Sequence, residues 1–353
     1  MKVSLYGVFP PNIGGVAIHI KRLSEVLRKD SLLDCIFVNN YSRVAKIVDK
    51  DIIDISLKHR WNIIKRFWFY LKYISKKSND IIHIHGSIIW DYVYILLSSY
   101  FSKGVVLTVH DQMQLNRNYM YIALIRFLYS LVNKSKLKII AVNQTIAEQI
   151  KHIGIKEYDI SIIPAYIPIA DTSNIKQIKS EKNIHNILWY APSLERNSSE
   201  NIYRFDLALS LKEIFNKHRI ESKLIICAPN GIDYEFLQSE LGYHNLIPDE
   251  LILFDYPINN MSDVLSTCNL YFRPTMTDGD SLLIRDALHI GCHVIASDEV
   301  ARPLKTILFS INNQISLEEA FKQYIHNEGP NFKDDEQNNN FTKILSLYNS
   351  FNA

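Results

Sequence analysis

Along this chain, short runs of β-branched and aliphatic residues alternate with longer amphipathic stretches, first over residues 2–142 and again over 186–296. That order constrains the fold more than any other feature, because alternating strand and helix segments build parallel sheets with helices on both faces. In the first set the expected strands are Lys2–Tyr6, Cys35–Asn39, Ile81–His85, Gly104–Val109 and Lys138–Val142. They are nearly unbroken apolar runs, as befits strands buried on both faces. Expected helices between them include Ala17–Lys29, Trp61–Lys76 and Tyr119–Asn133. The second set has strands Asn186–Tyr190, Lys223–Ala228, Leu251–Phe254, Leu270–Arg273 and His293–Ala296, with helices near Phe205–His218, Tyr234–Leu241 and Leu282–His289. The predicted class is α/β.

With 353 residues the chain exceeds the roughly 250–300 residues at which a single core stops growing, so two domains are expected. The polar stretch Asp171–His185 has little apolar periodicity and marks the break. The predicted organisation is a first domain over 1–168, a linker over 169–185 and a second domain over 186–330. A loop and final helix over 331–353 are expected to pack back toward the first domain. Residues 1–168 carry 23 Lys and Arg against 12 Asp and Glu, net +11, and the remainder 16 against 25, net −9. Such a split asks what the basic half touches: nucleic acid, an anionic membrane surface or a phosphorylated substrate.

The four cysteines, Cys35, Cys227, Cys268 and Cys292, show no ligand-like spacing, which suits a reducing compartment. The N-terminus reads directly into a strand with no apolar export segment. Apolar runs at 88–101 and 119–132 are interrupted by Asp91 and Arg126 and fall short of the roughly 20 residues that span a bilayer. A cytoplasmic protein is expected, at most peripheral on the inner face of the plasma membrane.

Four constellations offer chemistry. Gly14 and Gly15 lie between a strand and a helix, where backbone amides can approach a phosphate, although a plain strand-to-helix turn explains them as well. His83, His85 and His110 fall at strand ends, where ligands bind in open parallel sheets. His110 is a candidate proton-transfer or substrate-orienting residue, or a hydrogen-bonded strand-end histidine. His83 and His85 share a strand face, yet no acidic or cysteine partner stands at a metal-site spacing, so no metal is expected. The third is Thr277-Asp278-Gly279-Asp280-Ser281-Leu282-Leu283-Ile284-Arg285-Asp286, where a strand ends in an acidic loop that opens a helix. Asp280 or Ser281 can cap that helix while its first-turn amides hold a phosphate; the plainer alternative is an N-cap loop with Asp286 on a solvated face. The fourth is the basic stretch 58–77, with Lys58, Arg60, Lys65, Arg66, Lys72, Lys76 and Lys77 mixed with aromatics such as Trp68. It suits either a helix on anionic lipid or one that packs an apolar face on the sheet. No nucleic-acid reader motif accompanies it.

Taken in order, these segments resemble glycosyltransferase family 4, the retaining enzymes of the GT-B fold. Residues 10–17 look like the family's Gly-Gly loop, 80–85 and 105–111 like its next strand ends, 139–154 like the segment that follows, and 162–164 like the strand entering the linker. Asp278 through Asp286 resembles its E-x7-E motif with Asp at both ends. The resemblance implies two doubly wound Rossmann-like domains facing a cleft. It also implies a retaining transfer from a nucleotide-sugar to a lipid-linked or oligosaccharide acceptor in cell-surface polysaccharide biosynthesis, with no metal or other cofactor. Gly14 and Gly15 would approach the donor phosphate or acceptor, and His110 the transferred sugar. Asp278 would bind that sugar, Asp286 the ribose, and amides around Gly279, Asp280, Ser281 and Leu282 the diphosphate.

The family's Arg and Lys for the diphosphate are displaced here, and Arg196 and Arg204 are the expected substitutes, although a guanidinium does not replace lysine geometrically. Two other functions remain compatible: a nucleotide-sugar epimerase of the same fold, or a non-catalytic partner subunit.

Overall fold

The computed structural model describes residues 1–10, 14–38, 50–54, 63–76, 80–86, 89–110, 119–156, 159–168, 184–196, 202–256, 258, 260–326 and 339–352. The chain divides into two compact units, Met1–Ala170 with Asp335–Ala353, and Asp171–Asp334. Each is a parallel sheet covered by helices.

The first unit runs β1 (Val3–Gly7), α1 (Gly15–Lys29), β2 (Leu33–Val38), β3 (Ile52–Asp54), α2 (Ile63–Ile74), β4 (Ile81–His85), α3 (Ile89–Phe101), β5 (Gly104–Val109), α4 (Tyr119–Leu131), β6 (Leu137–Ala141), α5 (Gln144–His152) and β7 (Ile160–Ile162). Its sheet order is β3-β2-β1-β4-β5-β6-β7. The order reverses between β1 and β4, and the crevice beyond the carboxyl ends of such a strand pair is where doubly wound sheets bind ligands. Gly7 and His85 end those two strands.

On one face Ile20, Leu23 and Leu27 of α1 share a core with Ile344 and Tyr348 of the chain's last helix (Asn339–Asn349). The Tyr348 hydroxyl lies 2.6 Å from His83 Nδ1, and Phe351 fills the space where a side chain on Gly104 would stand. On the other face Tyr6, Phe37, Tyr70 and Tyr94 form an aromatic layer, with the Tyr70 and Tyr94 rings 4.5 Å apart.

The second unit runs β8 (His185–Tyr190), α6 (Phe205–Lys217), β9 (Ser222–Cys227), α7 (Tyr234–Tyr243), β10 (Leu251–Phe254), α8 (Met261–Ser266), β11 (Leu270–Arg273), α9 (Leu282–Ile290), β12 (His293–Ser297), β13 (Ile307–Phe309) and α10 (Gln314–His326). The last helix of the chain, in the first unit, is α11. Strand order is β10-β9-β8-β11-β12-β13, so the reversal lies between β8 and β11. Phe215 and Phe321 pack with Trp189, Phe272 and Phe309 on one face, and Ile284, Ala287 and Leu288 of α9 cover the other. Asp233 caps α7 by accepting from the Phe236 amide at 2.9 Å, and Gly291 ends α9 in the left-handed region, φ 92°, which glycine adopts without a Cβ penalty.

Two strands were too short to stand out in the sequence pattern, β3 and β13, and a third, β7, begins two residues before the strand that the resemblance implies at 162–164; each has three residues. The linker expected at 169–185 lies outside the described residues up to 183, and its last residue, His185, already opens β8.

Candidate active site

Two groups of polar side chains gather at the carboxyl ends of the sheets, one in each unit. In the second unit, Arg273 ends β11 at the strand reversal. Its Nη1 donates to the Tyr190 carbonyl at the end of β8, 3.4 Å away, and its guanidinium lies 5.2 Å from the Tyr203 ring centroid. Arg273 Nε donates to Asp278 Oδ2 at 3.1 Å, and Arg302 Nη1 donates to the same oxygen, also at 3.1 Å. Arg302 is further held by Thr275 Oγ1 at 2.9 Å and the Ser297 carbonyl at 3.2 Å. The loops after β11 and β12 are thereby tied together around one carboxylate.

Burial pushes the Asp278 carboxyl up, but the charges of Arg273 and then Arg302 outweigh it and hold the group below its ordinary range. Burial works against the charge on Arg273, and Asp278 more than restores it. On Arg302 burial prevails and lowers the pKa. Two guanidiniums around one carboxylate leave the cluster one net positive charge.

The acidic loop then opens α9. Ser281 occupies the N-cap position but makes no side-chain cap bond. The Asp280 carboxylate turns instead to Arg285, with Nε to Oδ1 at 2.7 Å. Ser281, one of the two expected caps, therefore does not close the helix start with its side chain. Asp286 is 5% exposed, so it does not sit on a solvated helix face. Gly279 donates its amide to Asp278 Oδ1 at 3.2 Å. Leu282 begins the helix and is buried.

The two arginines expected to supply positive charge stand differently. Arg204 is the N-cap residue of α6 in the left-handed region, and its Nε and Nη2 hold Asp206, at 3.0 and 2.7 Å. That charge is neutralised by a neighbour two residues away. Arg196 is exposed. Arg273 and Arg302 take their place beside Asp278, and the sequence reading passed over both. Arg273 had a signal, since it ends the strand that leads into the acidic loop; Arg302 lies 24 residues from Asp278, beyond any local pattern.

In the first unit, His19 of α1, His85 at the end of β4 and His110 after β5 come together. Ring centroids are 5.1 Å apart for His19 and His85, 5.0 Å for His19 and His110, and 5.4 Å for His85 and His110. His85 Nδ1 and His110 Nε2 lie 3.2 Å apart. His19 Nδ1 donates to the Ala165 carbonyl. Burial pushes His19 down to about 4, and burial foremost, then neighbouring imidazoles, holds His83, His85 and His110 well below the ordinary histidine value. All four are neutral near pH 7. His83 is set apart, since Tyr348 and Thr108 occupy its two ring nitrogens. His19 was missed in the sequence because it stands inside a helix, four positions beyond the glycine pair.

Gly14 is the N-cap of α1 and makes no side-chain cap bond; both Gly14 and Gly15 are exposed. A Cβ on either would meet nothing within 4 Å, so packing among the described residues does not require glycine there.

Of the basic stretch, Lys58, Arg60 and Lys77 lie outside the described residues, as do the side chains of Lys65 and Arg66. Trp68, Lys72 and Lys76 are exposed, whereas Tyr70 is buried and Tyr73 donates to Asp34. Part of the aromatic content therefore belongs to the core. An apolar stripe lies exposed on α4 instead: Met120 at 79%, Leu124 at 45%, Phe127 at 59% and Leu131 at 43%. Tyr100 of α3, itself exposed, donates to the Leu131 carbonyl. Among the described residues no helix is long and apolar enough to cross a membrane.

Residues 13–170 match Glycosyltransferase Family 4. No curated protein matches the chain in sequence. Among solved structures, the apo form of the lipopolysaccharide outer core galactosyltransferase WaaB is 16% identical, covering 99% of each chain at a TM-score of 0.67. A glycosyltransferase from Rickettsia africae ESF-5 is 14% identical, covering 99% of this chain and 98% of its own at 0.69. Anabaena HepE in complex with UDP-glucose is 10% identical, covering 92% and 90% at 0.66. At these identities the likeness of structure carries the fold, and the family match carries the activity. The chain is a glycosyltransferase of the GT-B fold, and its first unit holds a Glycosyltransferase Family 4 domain.

Proposed function

We propose that the protein moves a sugar, with retention at the anomeric carbon, from a nucleotide-sugar to a lipid-linked glycan on the cytoplasmic face of the membrane during cell-surface polysaccharide assembly. The observation that carries this reading is the Arg273–Asp278–Arg302 cluster beside the start of α9. A helix start whose N-cap side chain makes no cap bond offers amides to an anion, and a cluster with one net positive charge stands next to it. A nucleoside diphosphate is the ligand that combination fits. HepE is a structural relative in complex with UDP-glucose, which supports a nucleotide-sugar donor.

In the transfer, the bond from the anomeric carbon to the diphosphate oxygen breaks and its electron pair stays on the leaving group. The acceptor oxygen bonds to that carbon on the face from which the diphosphate departs, and its proton passes to the departing diphosphate oxygen. Charge grows on the diphosphate as the bond stretches, so donors already aimed there lower the barrier. Arg273, Arg302 and the amides near Ser281 and Leu282 supply this stabilisation, and such groups place no demand for a metal on the diphosphate. Asp278 holds both guanidiniums in position through Oδ2 and is assigned to the transferred sugar through Oδ1, which also accepts from the Gly279 amide. Asp286 is assigned to the ribose, Gly14 and Gly15 to close approach of the substrates, and His110 to the transferred sugar.

The membrane part of the proposal rests on the exposed stripe of α4, together with the positive balance of residues 1–168. Apolar side chains exposed on a helix, in a part of the chain with net positive charge, suit partial insertion at an anionic interface.

The test is a screen of the purified full chain against nucleotide-sugars with and without lipid-linked acceptors. Transfer that needs an acceptor and fails in Asp278→Ala is the expected result. Isomerised donor without acceptor would establish an epimerase instead, and donor binding without turnover a non-catalytic subunit.

A further inference from the structure

We propose that His19, His85 and His110 form a binding site for a divalent transition-metal ion, zinc foremost. Each offers one ring nitrogen, and the three nitrogens lie within 4.8 Å of one another. The closest described pair, His85 Nδ1 and His110 Nε2, is 3.2 Å apart. Two nitrogens bound tetrahedrally to zinc at its usual bond length stand about 3.3 Å apart, so this edge already has the required span. Closing the longer edges takes imidazole movements of roughly 1 Å on the same geometry.

The state of the rings fits a metal better than a set of hydrogen bonds. A carbonyl only accepts, so the contact to Ala165 fixes the proton on His19 Nδ1 and leaves a lone pair on Nε2. That Nε2 is buried and has no hydrogen-bond partner among the described residues. Metal-binding histidines typically donate their other ring N–H to a carbonyl or carboxylate, which is the arrangement of His19. Neutral imidazoles without a carboxylate select zinc, copper, nickel or cobalt over magnesium and calcium. Three protein ligands also leave a fourth position for water or a ligand oxygen, and His110, only half-buried, leaves the site a way in. His83 takes no part, because both its nitrogens are occupied.

The site stands at the β1/β4 reversal, where this type of sheet receives ligands. It departs from the expectation of a metal-free protein and shares His110 with the residues assigned above to the transferred sugar, so it is read by metal binding without substrate or turnover.

The full chain, stripped with a chelator and dialysed, is titrated with Co²⁺ as a coloured stand-in and then with Zn²⁺. The expected result is one equivalent bound, visible bands of a four- or five-coordinate site, and displacement by zinc. His19→Gln and His85→Gln, each checked for folding by circular dichroism, should weaken zinc more than about 100-fold, beyond the 10–100-fold cost of losing an outer-shell partner. The surface variant His326→Gln should bind as wild type does. Zinc-edge X-ray absorption of the wild type reads the ligands directly should either variant fail to fold. Three imidazoles support the site. No stoichiometric binding, binding retained in folded His19→Gln, or a shell with fewer than three imidazoles would overturn it.

Discussion

Arg302 Nη1 lies 3.1 Å from Asp278 Oδ2, and the arginine side chain that makes this contact is 2% exposed. The carboxylate that opens the loop into α9 is thus set by a residue beyond β12, with Arg273 holding it from the strand side. Acid and base form one unit here, and its net positive charge comes from the same loop system that presents the helix start.

Breaking that unit should damage stability as well as turnover. Arg302→Ala leaves a buried carboxylate with one cation fewer, and removing one partner of a buried pair costs about 3–5 kcal/mol. Urea unfolding should show a loss of that order, and transfer should fall with it. A loss below about 0.5 kcal/mol, the range of ordinary surface substitutions, would show that the contact does not hold the loops.

The same carboxylate sets a pH dependence. Its folded pKa is depressed, so its contribution is fully present above the unfolded value of about 3.9 and is lost as pH falls through the lower folded value. The stability gap between wild type and Asp278→Asn should therefore stay constant from about pH 5 to 8 and narrow below about pH 4. A gap that widens with acid would reverse the assigned sign.

Gly15→Ala separates function from packing. The new methyl meets nothing within 4 Å, and alanine in a helix is favoured over glycine by about 0.5–1 kcal/mol. The melting temperature should hold or rise while turnover drops, if substrates approach this backbone closely. Unchanged turnover would remove the glycine pair from the site.

At the far end of the chain, Tyr348→Phe removes the hydroxyl that His83 meets inside the first unit. Leaving a buried polar atom unsatisfied costs about 1–3 kcal/mol, which denaturant unfolding would read. No change would mean that α11 is held by its apolar contacts alone.

Phe127→Glu on α4 addresses the membrane face. Phe127 is exposed, so the fold should tolerate the change within about 0.5 kcal/mol, while sedimentation with anionic vesicles should fall. Undiminished sedimentation would move the membrane contact elsewhere.

Much of the fold was legible because its strands are buried on both faces. Ile81–His85, Gly104–Val109, Leu251–Phe254 and Leu270–Arg273 fall where the apolar runs put them. The three-residue edge strands β3 and β13 carry too little pattern to be seen. The acidic loop was legible as a strand end opening a helix, yet its chemistry was only half visible. Asp278 and Asp286 are local features, whereas Arg302 reaches Asp278 through tertiary structure, and His19 joins His85 only once α1 lies on the sheet. Arg204 looked like a free cation in the sequence because nothing there shows that its side chain folds onto Asp206.

Calorimetric titration of the full chain with nucleoside diphosphates, comparing wild type with folded Arg273→Gln, tests the donor site most directly. Hydrogen bonds to a charged group contribute about 1.5–3 kcal/mol, so at least one diphosphate should bind one per chain and lose roughly 10-fold or more in affinity in the variant. Equal affinity in the two proteins, or no diphosphate bound by the wild type, would contradict the account.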